Sequence, residues 1–222
     1  MERNDIDCIL HLGDYIYEYE VGGYSANISG RTNEPTNEII TLDDYRVRHS
    51  HYKLDDDLRL LHQQYPFINI WDDHESANDS YKDGADNHDP TTEGPWIDRK
   101  NNAAQAYHEW LPIRSPLPGS GRIYRAFEFG DLINLPMVDT RIEARDEQAG
   151  AAETNDPTRT LLGATQYNWL TNNLGTSTKQ WNILGNQVMI APLELVGTVL
   201  NYDQWDGYNY EREQLLNYVV NN

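Results

Sequence analysis

Apolar positions along the chain fall into short blocks set between long polar stretches. The first block, "DCILHL" (7–12), is broken only by His11 and ends at Gly13, which predicts a short buried strand. "FINIW" (67–71) is apolar and β-prone, and predicts a second. Residues 20–41 are rich in Gly, Asn, Ser, Thr and Pro and predict a loop, of a length that itself points to function. "TLDDYRVRHSHY" (41–52) opens with a capping candidate, Thr41, and acids in its first turn, which predicts a helix. "DDDLRLLHQQY" (55–65) repeats that logic and is stopped by Pro66.

After the polar stretch "DGADNHDPTTEG", residues 95–111 predict a helix, with Pro95 or Trp96 in its first turn and Pro112 at its end. Residues 122–141 alternate in two arms about Gly130 and Asp131, a hairpin signal, with Pro136 weakening the second arm as a central strand. "TQYNWLTNNLG" predicts a helix capped by Gly175, "WNILGNQVMI" a strand, and "NYEREQLLNYVV" a closing helix. No internal repeat or low-complexity tract interrupts this order.

Strand, helix, helix, strand, continued downstream, predicts an α/β fold with strands covered on both faces. In such sheets ligands gather beyond the carboxyl ends of the strands. The 222 residues fit one large domain or part of one. Because a core strand begins within a few residues of the start, the sequence is expected to be part of a longer protein.

Composition narrows the function. Thirty-six acidic against seventeen basic residues give a formal charge of -19, which repels polyphosphate and argues against an extended nucleic-acid groove. Six Trp and fifteen Tyr supply large surfaces for burial with polar handles, unlike a disordered chain. No apolar run approaches the roughly 20 residues that span a bilayer, and "MERNDIDCIL" has neither the basic start nor the apolar stretch of an export signal. Cys8 is the only cysteine, expected buried and inert, so an intrachain disulfide and a cysteine-rich zinc site are both excluded. Oligomeric state has no signal in the sequence.

Two polar clusters follow the two predicted strands at once: Gly13-Asp14, and "DDHE" from Asp72 to Glu75. Adjacent parallel strands would carry both to one sheet edge. Gly13 permits a tight turn or close backbone approach. Asp14 offers two oxygens, enough to bridge two cations, and Tyr17 lies three residues on. A phenol titrates near roughly 10, so a tyrosine ligand calls for a strongly Lewis-acidic ion such as ferric iron. Asp73 adds a second hard oxygen, a set that also suits calcium, magnesium or manganese. His74 could donate to an oxygen of a reacting group. Each cluster has a plainer alternative, a common turn for Gly13-Asp14 and a helix cap with a surface histidine for "DDHE". Tyr15 and Tyr19 read as packing residues, and His49, His51, His62, His88 and His108 as surface or helix residues without ligand spacing. Arg114 and Arg141 suit tetrahedral oxyanions, and equally suit structural ion pairs in so acidic a chain.

The segments "HLGDYIYEY", "EIITLDDYRVRHSHY", "WDDHESAND", "LPIR", "VDTR", "RTLLGATQYNWLTNNLG", "WNILGNQVM" and "DQWDGY", in that order, resemble the PhoD-type alkaline phosphatases of the calcineurin-like metallophosphoesterases. The likeness covers nearly the whole chain, and "HLGDYIYE" followed some sixty residues later by "WDDHE" is its most specific part. It implies a single metallophosphoesterase domain over residues 1–222, in part, with a sandwich of two sheets flanked by helices. It implies an extracytoplasmic enzyme that hydrolyses phosphate mono- and diesters with ferric iron (Fe3+) and calcium (Ca2+). By resemblance Asp14 is the bridging carboxylate, Tyr17 the phenolate on iron, Asp73 the second-metal ligand and His74 the histidine near phosphate; Asn78 and Arg141 match positions associated with substrate. The family also carries a cysteine ligand upstream of "HLGDY" and a "GD-x-H" motif after the last helix. Their absence here implies a chain truncated at both ends, whose ligand set is partial. Two other functions stay open: a non-catalytic relative that binds calcium or phosphate, and a metal-free carbohydrate-active hydrolase with carboxylates about 5 to 10 Å apart.

Overall fold

The structure is a computed structural model that describes residues 5–24, 32–114 and 122–222. The chain divides into two compact units, the first from Met1–Asn78 and Asp86–Arg114, the second from Asp79–Ala85 and Ser115–Asn222. Helices and sheets mix in the order expected of an α/β chain.

In the first unit, β1 (Ile9–His11) and β2 (Phe67–Asn69) pair in parallel, with Ile9 opposite Phe67 and His11 opposite Asn69. The strands are shorter than the apolar runs that announced them, and β1 is not the buried strand expected. Leu10 is 45% exposed and Cys8 is half-buried, because β1 has a partner strand on one side only among the described residues. Helix α1 (Leu42–Tyr52) starts as predicted at Thr41, whose hydroxyl accepts the Asp44 N–H while the Asp44 carboxylate accepts the Thr41 N–H. Helix α2 (Asp56–Gln64) is capped by Asp55, whose side chain accepts the Leu58 N–H at 2.9 Å. Helix α3 (Trp96–Trp110) has Pro95 at its N-cap, where a missing N–H costs nothing. α1 and α3 are tied by a two-pronged bond from Arg46 to Glu109, 2.7 Å on each prong. Beneath them Trp71 meets Tyr107 edge to face at 5.4 Å, a geometry worth about 0.5–1.5 kcal/mol beyond the area it buries.

The loop that precedes α1 is held from inside. Arg48 is fully buried on α1 and donates to the carbonyls of Tyr17, Tyr19, Glu34, Pro35 and Asn37. A guanidinium has five donors in a fixed fan, so this one side chain ties together two stretches of irregular backbone whose carbonyls are half-withdrawn from solvent. Residues 25–31 of the predicted loop lie outside the described residues.

The second unit is built on a three-stranded sheet ordered β3 (Arg125–Phe129), β4 (Ile133–Met137), β5 (Trp181–Asn182). The hairpin turns where expected, with Gly130 at φ +52°. Pro136 does sit in the central strand. Its carbonyl accepts the Gly185 N–H at 2.8 Å, so its nitrogen faces the β5 side, and β5 ends at Asn182 before a donor is needed there. For the same reason only two residues of "WNILGNQVMI" form regular strand. A two-stranded ribbon, β6 (Glu194–Leu195) and β7 (Thr198–Val199), and a 3-10 turn at Trp205–Tyr208 follow. Val138, Leu161, Leu162, Leu170, Val188, Trp205, Tyr208 and Leu215 form the buried cluster.

Helix α4 (Gly163–Thr176) runs past Gly175, which is therefore not its cap. A methyl on Gly175 would lie 2.3 Å from the Tyr218 hydroxyl of α5 (Asn209–Asn221), so the glycine makes room for a phenol. The N-cap residue of α4, Leu162, offers no capping side chain, and the Thr160 hydroxyl accepts the Gly163 N–H at 2.6 Å instead. Glu211, reaching from α5, accepts the N–H groups of Leu161 and Leu162 and the Thr160 hydroxyl. Among the described residues no helix is long and apolar enough to cross a membrane.

Candidate metal centre

Parallel pairing of β1 and β2 brings both polar clusters to the same end of the first unit. The chain leaves β1 through Gly13 at φ +110° and enters Asp14 at φ +58°, a left-handed conformation that aspartate tolerates better than most residues. On the neighbouring strand Ile70 donates to the His11 carbonyl at 3.0 Å, extending the pairing to the point where Asp72 begins the second cluster.

Glu75 fixes the two turns against each other. Its fully buried carboxylate accepts the N–H of Asp14 at 3.0 Å, the N–H of Asp72 at 2.7 Å and the N–H of Tyr15. Burial pushes its pKa up to about 8, against the downward pull of the Tyr15 and Asp72 amides.

With the turns so held, Asp14, Asp73 and His74 each present a ligand atom within 4.8 Å of the other two. The Tyr17 hydroxyl donates to Asp14 Oδ2 at 2.9 Å. Burial, the Asp14 charge and that hydrogen bond all raise the Tyr17 pKa, so without a cation the phenol keeps its proton. The Tyr17 ring stacks on His74 with centroids 4.2 Å apart.

His74 is itself oriented. Its Nδ1 lies 2.7 Å from Glu18 Oε2, and Glu18, wholly buried, also accepts the Asn78 N–H at 2.7 Å and the Asn87 side-chain amide at 3.0 Å. Burial lowers the His74 pKa, but the Glu18 hydrogen bond and the charges of Asp73, Glu18 and Asp14 outweigh it and lift the value to about 9.

Asp14, Tyr17, Asp73 and His74 are thus brought together. Asn78 stands beside them through its backbone bond to Glu18. Arg141 belongs to the second unit, where it is buried and donates to Asp203 at 2.8 Å; Arg114 is exposed. Tyr15 is a packing residue as expected, its hydroxyl held by His62 and Lys53. His49 is not a surface residue: it is fully buried on α1. The roles of Glu18 and Glu75 were not legible from spacing. The one available signal was a carboxylate inside the aromatic run "YIYEY" and another directly after "DDH".

The fold and donor set define an α/β chain with an acidic, histidine-containing centre able to hold hard cations. The sequence model of the PhoD-like phosphatases matches residues 1–222, and the chain belongs to that family. It is 38% identical over 232 aligned residues to alkaline phosphatase D of Bacillus subtilis (strain 168), an alignment that takes in 99% of this chain and 39% of that protein. A solved structure of PhoD matches with a TM-score of 0.88 at 36% identity, over 99% of this chain and 44% of the other. The chain therefore spans about two fifths of the length of these relatives.

Proposed function

We propose that the protein carrying this chain hydrolyses phosphate mono- and/or diesters in a metal-dependent reaction centred on Asp14, Tyr17, Asp73 and His74. The observation that carries this is the meeting of three ligand groups within 4.8 Å, with a phenol bonded to one of them, in a member of the PhoD-like phosphatase family.

The donor set fits the cations that the family implies. Two carboxylates and a phenol are hard oxygen donors, and the bond from Tyr17 to Asp14 marks a proton that a strongly Lewis-acidic ion would displace. Tyr17 and Asp14 would hold ferric iron, and Asp14 and Asp73 calcium or another divalent ion. When bound, such cations supply Lewis acidity and the positive charge that an anionic ester needs in a chain of net charge -19.

The protein's own groups do the rest. Glu75 holds the Asp14 and Asp72 turns in register, and Glu18 fixes the His74 ring by Nδ1. Nε2 is then the ring atom left to donate to a phosphate or leaving-group oxygen, and Glu18 stabilises the imidazolium that does so. Asn78 enters as a substrate-binding candidate beside Glu18, and Arg141 as a phosphate partner on its planar guanidinium and the family pattern alone.

The same proposal includes a calcineurin-like sandwich of two sheets within a single domain, supported by a family match that runs through both units, and an extracytoplasmic location, supported by resemblance. Family membership weighs against a metal-free carbohydrate hydrolase. For the chain in isolation, its 39% span of alkaline phosphatase D favours a second outcome, binding of calcium or phosphate without turnover.

The test is hydrolysis of p-nitrophenyl phosphate and bis-p-nitrophenyl phosphate by the complete gene product supplied with ferric iron and calcium. Turnover lost on chelation, restored by cations and absent in Asp14→Asn is expected. A metal-loaded protein that cleaves neither ester overturns the proposal.

A further inference from the structure

Tyr24 is 73% exposed, yet its ring has a fixed seat. It lies nearly parallel to Tyr17, 8° apart with centroids at 5.5 Å, and stacks on Tyr19 at 5.9 Å and 21°. The His74 ring centroid is 6.1 Å away. Tyr17 donates to Asp14, and His74 adjoins Asp73, so the exposed ring begins where the candidate centre ends.

The backbone is shaped to put it there. Gly22 has φ +90°, which side chains rarely adopt, and a methyl on Gly23 would stand 2.9 Å from Tyr19 Cβ. The turn is pinned by Gly23 N–H to the Glu20 carbonyl at 3.1 Å, by Val21 N–H to the Thr36 carbonyl at 2.9 Å, and by the Asn33 amide to the Tyr19 carbonyl at 3.1 Å. Two successive glycines thus let the chain double back and lay Tyr24 over the two preceding tyrosines.

Among the described residues Tyr24 packs on rings of the centre and keeps most of its surface open, which makes it a stacking surface at the margin of the site. Aromatic rings favour offset stacking at such separations, and a rigid ring offers that contact at small entropic cost. Building on the phosphoesterase function proposed above, we propose that Tyr24 is the platform for the leaving group, and that the enzyme favours phosphate esters of planar aromatic alcohols and nucleosides over those of aliphatic alcohols. Tyr24 acts on specificity, through binding of the departing group, while Asp14, Tyr17, Asp73 and His74 act on the phosphorus end.

The experiment compares wild type, Tyr24→Ala and Tyr24→Trp of the complete, metal-loaded gene product on p-nitrophenyl phosphate, AMP, glycerol 3-phosphate and phosphocholine. In Tyr24→Ala the ratio of kcat/KM for AMP to that for glycerol 3-phosphate should fall about tenfold, the size of one lost base-stacking contact, chiefly through KM. p-Nitrophenyl phosphate should follow AMP, and Tyr24→Trp should restore the ratio. Equal losses on aromatic and aliphatic esters, or none, overturn the inference while leaving the phosphoesterase function standing. A loss greatest for phosphocholine overturns it in favour of a cation-binding face. A wild type that hydrolyses none of the four overturns the inference, and one that also leaves bis-p-nitrophenyl phosphate intact overturns both.

Discussion

Gly13 and Asp72 touch through their backbones: a methyl built on the glycine would stand 2.3 Å from Asp72 Cβ and 2.3 Å from its nitrogen. The two turns that carry the candidate ligands are therefore packed against each other without a side chain between them. Gly13 is also at φ +110°, so Gly13→Ala meets both a clash and backbone strain. We expect it to lower stability by about 3 kcal/mol or more, and to weaken cation binding at least about tenfold by separating Asp14 from Asp73. Thermal denaturation and calorimetric titration with calcium check the two effects. A variant that melts and binds like the wild type would show that the close approach is not needed.

Tyr17→Phe removes one hydroxyl and leaves the ring stack on His74 in place. If Tyr17 binds ferric iron as phenolate, the metal-loaded protein absorbs visible light by phenolate-to-iron charge transfer, and the variant loses that band. Activity should fall at least about 10- to 100-fold, the range already seen when groups one step outside a metal's ligands are changed. A variant that keeps the visible band has its iron elsewhere.

Arg48→Lys tests whether the residues before α1 position the site. Lysine has three donors where arginine serves five carbonyls, so at least two of these acceptors lose their partner. The expected cost is about 2–4 kcal/mol, with faster amide exchange around residues 17–19. Unchanged exchange there would mean that the fan of bonds does not hold Tyr17.

Local signals carried much of this structure, and distance hid the rest. Thr41 and Asp44 are three residues apart, so the cap of α1 could be read directly. The two strands announced themselves because each is an apolar block that stops at a polar cluster, and their parallel pairing then follows from an α/β order. Glu18 and Glu75 could not be assigned, since the partners that define their roles, Asn78 and His74 for one and Asp14 and Tyr15 for the other, lie about sixty residues away and any carboxylate could fill such a role on paper. Glu211 shows the same limit: the amides of Leu161 and Leu162, just before α4, are satisfied across some fifty residues, while the Gly163 amide finds a local partner, the Thr160 hydroxyl. Gly175 looked like a helix end because glycine usually marks one, whereas here it clears space for Tyr218. Local rules identify what a residue can do; packing decides which of its uses is taken.

His49 gives the fold a specific weakness to acid. It is fully buried, neither ring nitrogen has a hydrogen-bond partner among the described residues, and Tyr15 and Tyr107 are its aromatic neighbours. Burial, with a smaller push from the Lys53 charge, lowers its pKa from 6.5 to about 3. In the unfolded chain His49 takes up a proton near pH 6.5, and in the folded protein only near 3. Its contribution to stability is therefore complete above pH 6.5 and is lost as the pH falls from 6.5 toward 3, with a slope of up to about 1.4 kcal/mol per pH unit. His49→Leu removes the titrating group and leaves no polar atom unsatisfied. Urea unfolding should find wild type and variant within about 1 kcal/mol at pH 7.5, and the variant clearly the more stable at pH 4.5. Because other titrating groups are common to both proteins, their difference isolates His49. Parallel pH profiles for the two would show that this histidine is not held neutral by the fold.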